Sequence, residues 1–143
     1  NKIYFIEKGF VRSYRVKQNR EITSWFMKEN DVIISVSSFF KREPSLEYLQ
    51  VLEDSMLCSI HYDELQSLYR EFPEFNIAGR ILVERYYVLS EERASSLRKQ
   101  KAEDRLRFLT DKYPEIMQRA SLGHIATYLG ISLETVSRLR LKK

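Results

Sequence analysis

The sequence predicts an α+β fold: a jelly-roll-like antiparallel β-roll, then one long helix, then a C-terminal helix-turn-helix. Three observations predict it. Short runs of β-branched and aromatic residues, several of them alternating with polar ones, fill the first sixty residues. A long stretch without proline follows Pro73, and two apolar stripes at helical spacing flank Gly130 near the C-terminus. A chain of 143 residues, 43% hydrophobic and 13% aromatic, is long enough for one or two small domains with real cores. No apolar run approaches a membrane span and no signal peptide is visible, so no membrane partner is expected. The single cysteine, Cys58, excludes a disulfide framework within one chain and fits a reducing cytoplasm.

The roll is predicted from strands at residues 2–7, 10–17, 21–27, 32–34, 48–53 and 56–60, broken by Gly9, by Gln18-Asn19-Arg20 and by the Asn30-Asp31 turn. In the second strand Phe10, Arg12, Tyr14 and Val16 alternate with Val11, Ser13, Arg15 and Lys17, the pattern of a half-buried strand. Together the runs read as an antiparallel meander closing on itself. The aromatics Tyr4, Phe5, Trp25, Phe26, Phe39, Phe40 and Tyr48 read as core, and Arg42 lies in a segment that reads as a flexible tip. The chain begins inside a predicted strand, which predicts a missing N-terminal segment.

Residues 62–71 form a short amphipathic helix with Leu65, Leu68 and Tyr69 inward, ended by Pro73. Residues 74–101 then run as one helix of roughly 40 Å. Ile77, Ile81 and Val88 line one face of it, and Leu82, Tyr86, Leu89 and Leu97 another, so one stripe can pack on the roll while the other needs a partner. Arg85, Glu92, Arg93 and Ser95 interrupt the pattern. They read first as a solvated face, with pairs between subunits as the alternative.

Residues 102–113 form a further helix with Leu106 and either Leu109 or Phe108 inward, and residues 114–120 a connecting turn that leaves Arg119 available to a phosphate. The helix-turn-helix follows. Ser121 caps its first helix, in which Ile125 and Leu129 make the buried stripe and Ala126 permits a close crossing; Gly130 turns the chain, Ile131 plugs the turn, and Ser132 caps the second helix. Val136 and Leu139 pin that second helix, leaving Leu133, Glu134, Ser137, Arg138 and Leu141 outside. Leu133, Glu134, Ser137 and Arg138 are the candidate base contacts, since Arg138 can bind guanine O6 and N7 and Glu134 can accept from cytosine N4. Ser121, Ser132, Thr135, Arg140 and Lys142 are the candidate phosphate contacts. Residues 1–97 hold 13 Lys/Arg against 15 Asp/Glu, whereas residues 98–143 hold 11 against 5, so positive charge gathers where phosphates would lie. A plain helical hairpin is the competing reading.

The run LGISLETVSRLR resembles the recognition end of the Crp/Fnr family of bacterial transcription regulators, and the similarity extends through FIEKGFVRSYR, PSLEYLQVLEDS and the long helix. The resemblance implies a cyclic-nucleotide-binding β-roll with its N-terminal strands missing at residues 1–73, a dimerisation helix at 74–101 and a DNA-binding domain at 102–143. It implies a cytoplasmic homodimer on double-stranded DNA, with Ile77, Ile81, Leu82, Val88 and Leu89 on the dimerisation helix, and it admits RNA polymerase as a further partner. Cyclic-AMP-binding relatives carry a glutamate and an arginine where this chain has Ser35 and Ser45, which argues against cyclic AMP and leaves the effector unassigned. Many relatives add a β-wing after the second helix; here the wing is reduced, precedes the motif or has been cut off.

No constellation supports catalysis, and no cofactor or metal is expected. His61 and His124 have no nucleophile at a telling spacing, the glycines at 9, 79, 123 and 130 make no phosphate loop, and Cys58 reads as a core residue. Iron-sulfur sensing needs several cysteines. Two alternatives from other classes are a cyclic-nucleotide receptor with a protein-protein output and an architectural DNA-binding protein without effector control.

Overall fold

The computed structural model describes residues 1–98 and 101–141. The predicted strands form as β1 (Lys2–Lys8), β2 (Val11–Lys17), β3 (Arg20–Met27), β4 (Val32–Ile33), β5 (Tyr48–Val51) and β6 (Met56–His61), with a helix α1 (Val36–Lys41) between β4 and β5. Then come α2 (Tyr62–Glu71), α3 (Pro73–Arg98), α4 (Ala102–Lys112), α5 (Ile116–Arg119), α6 (Leu122–Leu129) and α7 (Leu133–Arg140). The far end of the predicted long helix, at residues 99 and 100, lies outside the described residues. Among the described residues no helix is long and apolar enough to cross a membrane.

The strands do not pair as a meander. They make two antiparallel three-stranded sheets, ordered β4-β1-β6 and β3-β2-β5, and among the described residues only β2 and β3 form a hairpin of sequence neighbours. Gly9 makes the difference: its φ of +108° turns the chain from one sheet to the other, and a Cβ there would fall 1.8 Å from the Ser55 hydroxyl.

Nor is β2 half-buried throughout. Val11, Arg12 and Ser13 are all buried because its first half is covered on both faces, and the register shifts between Ser13 and Tyr14. On one side Val11 joins Ile6, Met27 and Ile33 inside the roll. On the other, Phe10 and Phe26 belong to the same buried cluster as Leu106, Leu109, Tyr113, Ile116, Ile125, Tyr128, Leu129 and Val136, so the largest core runs from the roll into the C-terminal helices. Of the seven aromatics read as core, Phe26 and Phe39 are buried, but Phe5, Phe40 and Tyr48 are 40%, 57% and 56% exposed. Phe5 alternates with buried Ile6 and so faces outward. Cys58 is also exposed, on the outer face of β6 at a sheet edge, where its thiol donates to Glu7.

A helix, α1, precedes the segment read as a flexible tip, and Arg42 closes that helix in the left-handed region, its guanidinium 4.3 Å over the Tyr62 ring and beside Asp63. Of the four residues that interrupt the α3 stripes, Ser95 is exposed, as on a solvated face, and the other three find partners within the chain. Arg85 pairs with Asp31 and Glu92 with Lys112, while Arg93 donates to the Ser24 and Thr23 carbonyls and lies 4.3 Å over the Tyr128 ring. Tyr86 turns to the roll and accepts from the Val32 N–H at 2.6 Å. Ile77, Ile81 and Val88 remain 56%, 55% and 55% exposed, Leu89 is half-buried, and Leu82 borders the groove between α3 and the roll.

Candidate nucleic-acid interface

Local sequence builds this site one turn at a time. In α4, Leu106 and Leu109 are buried and Phe108 stays at the margin, giving a floor for α6 and α7. Residues 116–119, read as part of a turn, form the short helix α5. The Ser121 side chain accepts from the His124 N–H at 3.1 Å and so caps α6; Ser132 does the same for α7 through the Thr135 N–H at 3.2 Å. Between them Gly130 sits at φ +64° and ends α6, while Arg105 of α4 donates to the Leu129 carbonyl at 2.9 Å. Ile125, Ala126 and Val136 are buried where the two helices meet.

This packing leaves one face of α7 open. Leu133, Glu134, Ser137 and Arg138 are all exposed on it, as are Leu141 and Arg140 at its C-terminal end. The Glu134 carboxyl is held below the ordinary glutamate range by its own backbone N–H at the helix start and by the Ser132 hydroxyl, which keeps it an acceptor. Thr135 is half-buried against Ser132, whose hydroxyl it meets at 3.1 Å. Lys142 lies outside the described residues.

The motif also leans on the roll. Thr127 of α6 meets Thr23 of β3 hydroxyl to hydroxyl at 2.9 Å, Tyr128 lies 5.2 Å from the Phe26 ring, and the Tyr113 hydroxyl donates to the Phe26 carbonyl. His124 sits where burial and the Arg12 guanidinium hold its imidazole below the usual histidine range. Arg119 is not available to a phosphate: it binds Glu29 and Glu53, approaches Glu115, and lies over the Phe10 ring. Arg12 itself is 1% exposed and donates to Glu21, Gln50 and Thr23. The contacts to Glu29, Glu53, Thr23 of β3 and Phe26 join residues far apart along the chain, which gave the sequence no local signal for them, while Arg119–Glu115 spans four residues and Arg12–Glu21 one hairpin.

Residues 1–72 match the family model described as the cyclic nucleotide-binding domain, half of the chain. The chain belongs to the cyclic nucleotide-binding domain family. Over 158 aligned residues covering all of this member, it is 30% identical to an anaerobic regulatory protein of Pasteurella multocida, and over 149 residues covering 96% of it, 30% identical to a fumarate and nitrate reduction regulatory protein of Vibrio cholerae. It spans 57% and 59% of the length of those relatives. Solved structures share the fold over 99% of the chain: the c-di-GMP-responsive regulator CLP of Xanthomonas campestris (TM-score 0.73, 22% identity, 76% of that chain) and FixK2 of Bradyrhizobium japonicum (0.75, 19%, 73%). The architecture is thus that of the Crp/Fnr regulators, with the roll, long helix and C-terminal helices in the same order.

In this member of the family the residues do not fit a cyclic phosphate. Ser35 and Ser45, the positions that the sequence resemblance sets against the ribose and phosphate contacts, hydrogen-bond each other hydroxyl to hydroxyl at 2.9 Å. The small cavity beside them, about 150 Å³, is lined by Lys2 and by the Glu47 carboxylate but by no arginine. Arg15 is tied to Glu47 and Arg42 is turned to α2. Among the described residues no group of His, Cys, Asp and Glu side chains is placed to hold a metal ion.

Proposed function

We propose that this chain is the DNA-reading part of a sequence-specific transcription regulator of the Crp/Fnr type, acting as a cytoplasmic homodimer on double-stranded DNA. The observation that carries this reading is the capped pair α6 and α7, held at the Gly130 turn, with Leu133, Glu134, Ser137 and Arg138 all exposed on one face of α7. A recognition helix enters the major groove with its first turns against base edges. Arg138 would take guanine O6 and N7, Glu134 would accept from cytosine N4, and Leu133 and Ser137 would fill the remaining contacts. Ser121, Ser132, Thr135, Arg140 and Lys142 would hold phosphates: the Ser121 hydroxyl accepts a backbone N–H and keeps its proton to donate, whereas Ser132 would turn its proton from the Glu134 carboxylate to the phosphate.

One α7 reads only a few base pairs, so two are needed about one helical turn apart. The uncovered stripe Ile77, Ile81 and Val88 on α3 supplies a self-complementary surface for a two-fold partner, with Leu82 and Leu89 at its border toward the roll. The relatives' names as regulatory proteins agree, and RNA polymerase is the partner such a regulator would address. The test is selection of bound duplexes from a random pool without added nucleotide. A two-fold symmetric site with half-sites one turn apart is expected; a pool that yields no symmetric site, with or without cyclic nucleotides, would overturn the reading.

A further inference from the structure

The β2–β3 hairpin ends in a tight two-residue turn, Gln18 and Asn19 at φ +50° and +56°, closed by Lys17 directly opposite Arg20. Two cations facing each other at the end of a ladder repel and cost stability. Neither has an ion pair among the described residues, and both are exposed. From Lys8 to Arg20 the chain carries five cations and no carboxylate, although the roll as a whole is slightly acidic. The flanking Glu21 does not neutralise the tip because its carboxylate is taken by buried Arg12, and Arg15 is already paired with Glu47. The tip is therefore a rigid, unneutralised basic point.

Its place in the fold gives it a target. Helix α6 runs in the same sense as β3: Thr127 bonds Thr23, and Tyr128, one residue on, lies against Phe26. From Thr23 back to Arg20 is about 10 Å along the strand, and from Thr127 back to Ser121 is about 9 Å along the helix. The hairpin tip and the N-terminus of α6 thus stand side by side at one end of the molecule. In a helix-turn-helix complex the first helix crosses the sugar-phosphate backbone.

We propose that the β2–β3 hairpin is a second DNA contact, with Lys17 and Arg20 gripping the backbone phosphates beside those met by Ser121. The inference rests on the DNA-binding reading above. Phosphate contacts carry no sequence information, so the hairpin adds affinity and salt dependence and leaves base preference to α7.

The test measures binding of the full chain to a fluorescent mixed-sequence duplex over a range of salt, for the parent, a Lys17→Gln/Arg20→Gln double variant, a charge-keeping Lys17→Arg/Arg20→Lys variant and Arg138→Ala. Each phosphate contact contributes about 0.9 to the slope of log affinity against log salt. The double variant is expected to lower the slope by about 1 to 2 per chain. The charge-keeping variant is expected to restore it, and base preference on a selected duplex is expected to stay unchanged in both. If the double variant keeps the parent slope and affinity while Arg138→Ala loses base preference, the hairpin contact is wrong and the DNA reading stands. A parent with no salt-dependent binding to any duplex overturns both.

Discussion

Arg119, Glu29 and Glu53 show how one side chain can be taken out of service by its neighbours. The sequence offers Arg119 to a phosphate, yet the folded chain gives it two carboxylates and the face of Phe10. The hydrogen bond from Arg119 holds the Glu29 carboxyl at about 2 against an ordinary 4.5. A carboxyl depressed on folding adds stability above its unfolded pKa and loses it as pH falls through the folded one. Urea midpoints should therefore fall between about pH 4.5 and 2 for the parent more than for Glu29→Gln, and equal pH profiles would contradict the assignment. Arg12 is the buried counterpart: Glu21→Ala leaves its guanidinium with only Gln50 and Thr23, and should cost about 2 kcal/mol in denaturant titrations. On the surface proposed to face DNA, Arg138→Ala should cost about 1–3 kcal/mol at the preferred site and relax selection at one base position, read by competition with single-base variants.

Among elements, the helix-turn-helix was legible because everything that builds it is local. Two serine caps, a glycine at φ +64° and apolar residues three and four apart each act over about one turn of chain. Gly130→Ala should cost about 1–2 kcal/mol from backbone strain alone, since the nearest atom to its Cβ would be 3.9 Å away. Gly123→Ala, whose Cβ would meet the Ser121 hydroxyl at an unstrained 3.8 Å within α6, should instead raise stability by about 0.5–1 kcal/mol. Thermal or urea unfolding of the two variants compares them directly. The strands were legible for the same reason, but their pairing was not. Sheet order depends on where Gly9 sends the chain, and the partners of Arg85, Glu92 and Arg93 depend on which surface α3 meets. Helix α1 escaped notice because Val36–Lys41 is six residues long with no side-chain cap. On α3, Ile81→Glu or Val88→Glu should shift the chain toward monomer in sedimentation while leaving its helix content unchanged, because both side chains are exposed within one protomer.

At the scale of the whole molecule, the roll and the C-terminal helices share one core, and Tyr113, Thr127, Arg93 and Arg119 stitch them polar group by polar group. Fluorescence of Trp25, the single tryptophan, should therefore change at the same denaturant concentration as the far-ultraviolet helix signal, and two separated transitions would show that the halves unfold independently. The Thr23 to Thr127 contact closes 104 residues of chain. During synthesis β3 emerges long before α6 exists to cover it, so Phe10 and Phe26 wait with one side of the sheet uncovered while about a hundred residues are added, a matter of several seconds or more at ordinary translation speed. A nascent or truncated chain that stops before α4 carries that greasy surface permanently, and it is the form a chaperone or a protease would meet.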